Sequence, residues 1–192
     1  RRGCNAVNAL DFQVVIPARL GSTRLPRKVL LDLGGKPVVQ WVWQAAMAAG
    51  AGSVTIATDA EEVADVCRQF GATVVMTDAA HQSGTDRANE VARLRGWSAD
   101  SLIVNVQGDE PLMPPALIAQ VARLLADDRE AHLATLAHAI HDEADFANPN
   151  VVKVVCDRRN YALYFSRAPI PWQRDGSSRA APLLPQGLAH RH

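Results

Sequence analysis

Cysteine is scarce: three in 192 residues, Cys4, Cys67 and Cys156, with no C-x-x-C among them. An odd, dispersed set supplies neither a disulfide framework nor a zinc site, and it suits a reducing cytoplasm. Surplus charge is missing as well. Lys plus Arg number 20, as do Asp plus Glu, so no global field draws the chain to nucleic acid or to a membrane surface. No apolar run reaches the length of a membrane span, and no signal peptide is visible. Two nucleotide motifs are absent. No G-x-G-x-x-G follows the first expected strand, which disfavours dinucleotide binding, and Gly35-Lys36-Pro37 does not complete a G-x-x-x-x-G-K-[ST]. Internal repeats and low-complexity segments are also lacking. What remains is an ordinary globular composition, 48% apolar and 21% charged, long enough for a sizeable core. Any polyanion site must therefore be local.

Short apolar runs alternate with helical stretches, which predicts α/β architecture with a doubly wound, mostly parallel sheet. Strands are expected at 12–16, 53–57, 72–76 and 101–106, and helices from Pro37, over 61–70, from Thr85 to about Arg95 and from Pro114 to Leu125. Pro17 cannot donate to a ladder and closes the first strand. Pro37 suits a first helical position, and Thr58-Asp59 suits a cap for helix 61–70. Strands at 132–141, 151–155 and 162–165 form a smaller strand-rich layer, with Tyr161, Tyr164 and Phe165 as core. Beyond Gln173, Gly, Ser, Pro and Ala predict a loop. The expected organisation is an N-terminal extension over 1–11, one domain over 12–175, and a loop and end over 176–192. The chain opens on Arg1 without an initiator Met and closes on Leu188-Ala189-His190-Arg191-His192 without a stop signal, which points to a piece of a longer protein.

Three segments follow expected strand ends and carry chemistry. Residues 18–28, A-R-L-G-S-T-R-L-P-R-K, leave the carboxyl end of the first strand, where open α/β sheets place their ligands. Arg19, Arg24, Arg27 and Lys28 bring charge, Ser22 and Thr23 bring hydroxyls, and Gly21 permits a close backbone approach. Phosphate oxygens are held by that mixture, although a solvated basic loop has the same composition. Next, Asn105-Val106-Gln107-Gly108-Asp109-Glu110-Pro111 delivers a carboxylate pair to the same sheet edge. Mg²⁺ takes one or two carboxylates plus substrate phosphates, so Asp109 suits a metal ligand with Glu110 behind it. A turn capping the next helix is the plainer alternative, and the basic loop on the same edge favours the metal. In His81-Gln82-Ser83-Gly84-Thr85-Asp86-Arg87, Ser83 and Gly84 stand at a helix start whose N–H groups meet an anion or the edge of a base. Thr85 and Asp86 also fit plain caps, and Arg87 can point at the site or pair with Glu90. Finally, Arg167 ends a strand and can clamp a carboxylate in bidentate fashion.

Pro17-Ala18-Arg19, Ser22-Thr23-Arg24-Leu25-Pro26 to Lys28, the His81–Arg87 run, Gln107–Pro111, and Tyr164-Phe165-Ser166-Arg167 to Ile170-Pro171 together resemble the 3-deoxy-manno-octulosonate (Kdo) cytidylyltransferases, the CMP-Kdo synthetases. The likeness covers residues 12 to about 175. It implies a nucleotide-diphospho-sugar transferase-like fold and a Mg²⁺-dependent transfer of CMP from CTP to Kdo, within lipopolysaccharide assembly in the Gram-negative cytoplasm. It also implies a homodimer for the full-length protein. Arg19, Ser22, Arg24 and Lys28 would meet the triphosphate, with Ala18, Ser83 and Gly84 beside the nucleotide. Asp109 would bind the metal, and Gln107, Arg87 and Arg167 would face the sugar acid. Arg27 occupies a position that is often Gly in that family. Family members continue past an Arg-His-(Ile/Leu)-Gly stretch that His192 interrupts, and the continuation carries a second acidic metal ligand. A non-catalytic CTP-binding module and a transferase for a related sugar acid are the alternatives.

Overall fold

Strand β1 (Gln13–Pro17) buries Val14, Val15 and Ile16 completely, as an apolar run in the middle of a parallel sheet requires. The computed structural model describes residues 10–21, 25, 27–171 and the backbone of 188–190. Strand β2 (Ser53–Thr58) pairs along one side of β1, and β3 (Thr73–Met76) lies beyond it. Strand β4 (Ile103–Asn105) pairs along the other side, so the order is β3-β2-β1-β4 and every pairing is parallel. The chain thus moves outward from β1 to β3 and then returns to the opposite side of β1. That reversal makes the crevice between β1 and β4 a topological switch point, where ligands of open α/β sheets bind.

Helices cover both faces of this sheet. Phe12, Val14 and Ile16 belong to one core with Val39, Val42 and Ala46 of α1 (Val38–Ala48), Val63 and Cys67 of α2 (Glu61–Gln69), and Ile118 of α4 (Pro115–Asp127). Val15 and Ala57 pack instead with Ala88 and Val91 of α3 (Gly84–Arg95). Each fully buried aliphatic side chain of this kind contributes about 1.5–3 kcal/mol. The doubly wound expectation holds, with local corrections. Pro37 precedes α1 as its N-cap, in extended conformation, rather than occupying the first helical position. The residue capping α2 is Ala60, with no side-chain bond, so Asp59 is not a cap.

Chain contacts divide the molecule into two compact units, 1–134 and 135–192, within the span read from sequence as one domain. The second unit holds an antiparallel sheet of order β5-β8-β6-β7, made of His138–Ala139, Leu188–His190, Val152–Cys156 and Ala162–Ser166. Helix α5 (Glu143–Ala147) is capped by Asp142, whose carboxylate accepts from the Asp145 N–H. The strand expected over 132–141 shrinks to two residues. Tyr164 and Phe165 are not core: Tyr164 is 62% exposed and Phe165 is exposed, on β7, which pairs with β6 among the described residues. Lys153 is buried, and its ammonium donates to the carbonyls of Asn148, Val151 and Arg167. Burial, reinforced by the charge of Arg167, pushes its pKa down.

Candidate functional site

The carboxyl ends of β1, β3 and β4 hand over directly to the three segments that carry chemistry. The N–H of Ala18 donates to the Ala57 carbonyl at 2.8 Å, and that of Gly108 to the Pro17 carbonyl at 3.1 Å, so the strand exits are tied laterally. A Cβ on Gly108 would lie 2.7 Å from the Pro17 oxygen; only glycine brings the two backbones this close. Gly84, at the start of α3, packs beneath Pro17, Asn105 and Gln107, each with an atom 3.2 Å from where its Cβ would stand. The exits of β1 and β4 and the start of α3 therefore meet.

On this rim Lys28 Nζ donates to Asp109 Oδ2 at 2.9 Å, with the two side chains 41% and 42% exposed. Lys28 opens a short 3₁₀ turn, Lys28–Leu30, preceded by Arg27 in the left-handed region at φ 61°. Arg19 Nη2 donates to the Ala79 carbonyl at 3.2 Å, and its Nε lies 3.8 Å from Asp59 Oδ2. Ser83 and Asp86 form a reciprocal capping box: the Ser83 hydroxyl accepts from the Asp86 N–H, and Asp86 accepts from the Ser83 N–H and hydroxyl. The capping alternative for Asp86 is correct. It also leaves the Ser83 side chain and N–H engaged within the helix start.

Behind the rim the loop from β3 to α3 is fastened by Glu90, whose carboxylate accepts from the Asp78 N–H at 2.8 Å and meets His81 Nε2 at 2.6 Å. The Asp78 bond first, and then the His81 bond, hold the Glu90 pKa below the usual carboxylate value. Arg87 does not take Glu90. Its Nη2 donates to Asp59 Oδ2 at 3.1 Å and its Nη1 to the Thr77 hydroxyl.

Of the expected ligands, Lys28, Asp109, Arg19, Gly84 and Gln107 belong to the first unit and stand at the carboxyl edge of its sheet. Ser22 and Arg24 lie outside the described residues. Ala18 is fully buried with its N–H committed to Ala57. Arg87 has no exposed surface, and its terminal nitrogens donate to Asp59 and Thr77. Arg167 belongs to the second unit, where its Nη1 donates to the Pro149 carbonyl at 2.8 Å. Asp59 is the rim residue that sequence reasoning missed. Its signal was present, a carboxylate directly after a parallel strand, but it was read as a cap.

Asp109, with 42% of its side chain exposed beside Lys28, is a carboxylate that a metal could reach here. Among the described residues no group of three or more His, Cys, Asp or Glu could hold an ion. A single carboxylate suits a hard cation that draws its other ligands from phosphates and water. One Asp109 oxygen already faces a cation, the Lys28 ammonium. Among the described residues the donor set fits a hard divalent cation that completes its shell from elsewhere and does not form a self-sufficient cage.

A family model described as Cytidylyltransferase matches residues 13–185. Proteins named 3-deoxy-manno-octulosonate cytidylyltransferase are similar along nearly the whole chain. One from Marinomonas sp. is 53% identical over 95% of this chain and 70% of its own length. One from Cellvibrio japonicus is 54% identical over 95% and 72%. One from Vibrio cholerae is 55% identical over 93% and 71%. Among solved structures, a CMP:2-keto-3-deoxy-manno-octonic acid synthetase complexed with CTP superposes with a TM-score of 0.81 at 41% identity, covering 94% of this chain and 71% of that one.

Proposed function

The chain belongs to the cytidylyltransferase family, and from that premise we propose that it is a 3-deoxy-manno-octulosonate cytidylyltransferase, transferring CMP from CTP to Kdo with release of pyrophosphate. One contact and its address carry most weight: Lys28 and Asp109 meet at 2.9 Å beside the β1–β4 switch point. A hydroxyl of the sugar acid attacks the α-phosphorus in line and releases its proton to water; the new P–O bond forms as the bond to pyrophosphate breaks. Such a reaction asks the protein for alignment and for dispersal of negative charge. Arg19 and Lys28 supply cations at the rim, and Ser22 and Arg24 are assigned to the same triphosphate. Ala18, Ser83 and Gly84 are assigned to the rest of the nucleotide, and Gln107 and Arg167 to the sugar acid. When bound, Mg²⁺ supplies Lewis-acid neutralisation of phosphate oxygens, and Asp109 is the residue that would hold it.

Within the same proposal the product serves lipopolysaccharide assembly and the reaction is cytoplasmic. Among the described residues no helix is long and apolar enough to cross a membrane. The full-length protein is proposed as a homodimer, with exposed Leu163 and Tyr164 on β7 as apolar surface for a second copy.

The test is pyrophosphate release across a panel of nucleoside triphosphates and sugar acids, with Mg²⁺ added or chelated. Release is expected with CTP, Kdo and Mg²⁺ together and with no pair of them. Release only with a different sugar acid redirects the acceptor. A CTP-dependent rise in melting temperature with no release in any combination leaves a nucleotide-binding module and overturns the transfer.

A further inference from the structure

Asp59 connects two arginines of different character. Its Oδ2 lies 3.1 Å from Nη2 of Arg87, which has no exposed surface, and 3.8 Å from Nε of Arg19, which is 38% exposed. Arg87 is locked. Its Nη1 donates to Thr77, and removing one partner of an enclosed guanidinium leaves an uncompensated buried charge. It therefore fixes Asp59, which is 17% exposed and presents the same oxygen to Arg19. A second anchor holds Arg19 from the other side: the Ala79 carbonyl accepts from its Nη2, and the loop carrying Ala79 is fastened by Glu90 through Asp78 and His81. Arg87 and Glu90 are three residues apart on α3 and so share one face of that helix.

We infer that Asp59 is a positioning residue for Arg19, held by the buried Arg87, so that the face of α3 behind the rim sets the direction in which the Arg19 guanidinium meets phosphate. The inference rests on the assignment of Arg19 to the triphosphate made above. An arginine already restrained loses less rotamer freedom when its anion arrives, so the contribution falls on nucleotide affinity.

A double-mutant cycle in the full chain tests this: Arg19→Ala, Asp59→Asn and both together, with dissociation constants for CTP and for cytidine, and KM for CTP against kcat. Asn keeps an oxygen for Arg87 but loses the charge that restrains Arg19. Asp59→Asn is expected to weaken CTP about tenfold, in KM more than in kcat, with cytidine affinity unchanged and no further loss in the Arg19→Ala background. No loss from Asp59→Asn, losses that add, or an equal loss for cytidine overturn the positioning role while leaving Arg19 on the triphosphate. No loss from Arg19→Ala overturns the underlying assignment and the inference with it. Should Asp59→Asn fail to fold, Glu90→Gln enters the same cycle through the Ala79 anchor, with the same outcomes deciding.

Discussion

Lys28 and Asp109 stand 81 positions apart in the chain and 2.9 Å apart in space. With roughly two-fifths of each side chain exposed, their ion pair contributes only about 0–1 kcal/mol to stability. Folding alone does not account for two charges brought together at a switch point, whereas the proposed transfer, in which charge develops on a phosphate, gives them a role. Lys28→Ala and Asp109→Ala are therefore expected to shift the melting temperature by only a few degrees and to lower pyrophosphate release at least ~100-fold. Near-normal release by either variant removes that residue from the mechanism. Arg27 is a residue of the opposite kind. Its left-handed backbone costs a side chain about 1–2 kcal/mol, a strain that a glycine would not carry. An ion pair with Glu62 accompanies the arginine.

Gly108 decides how the β4 exit meets β1. A methyl group there would stand 2.7 Å from a backbone oxygen, and backbone cannot step aside as a side chain can. Gly108→Ala is expected to cost about 1–3 kcal/mol by denaturant midpoint, and to reduce transfer by more than that loss implies, because Asp109 moves with the displaced loop. Gly84→Ala serves as the comparison. It meets only side-chain atoms, at 3.2 Å, and two of its three neighbours are amide groups of Asn105 and Gln107 that can turn, so its cost should be smaller. A variant at Gly108 as stable and active as the parent would show that the rim tolerates a shifted exit. Elements of this kind were largely legible in the sequence. Val14 to Ile16 read as a central strand, and Ser83 with Gly84 as a helix start, because each depends on neighbours within a few residues. Asp59 was not legible. A carboxylate two residues before a helix has the same local signature whether it caps or pairs, and its partner Arg87 lies 28 residues further on.

At the scale of the whole molecule, equal numbers of acidic and basic residues leave no long-range pull on an anion, so capture of a nucleotide depends on the local cations of the rim. The first unit is built around a core that includes Cys67, a fully buried thiol pushed up to about 12 by burial, against the opposing charge of Arg68. At pH 8 an alkylating reagent should reach Cys67 only when that core opens, at least ~1000-fold more slowly than in denaturant. Mass spectrometry of the modified peptide reads the rate, and rapid native labelling would mean a loose core. The second unit was less legible than the first. Its β5 is two residues long, and β8 pairs from a stretch in which no stop or period marks an element. The parallel sheet carries one further implication. A strand apolar on both faces, as β1 is, can slide along its neighbour by one residue, about 3.3 Å, without wetting anything, so oil-like residues do not determine where it halts. Sliding β4 would carry Gln107 or Asp109 into the gap at Pro17 that admits nothing larger than hydrogen. The doorstep on which substrates are proposed to land is thus also the detent that keeps the sheet's strands in step.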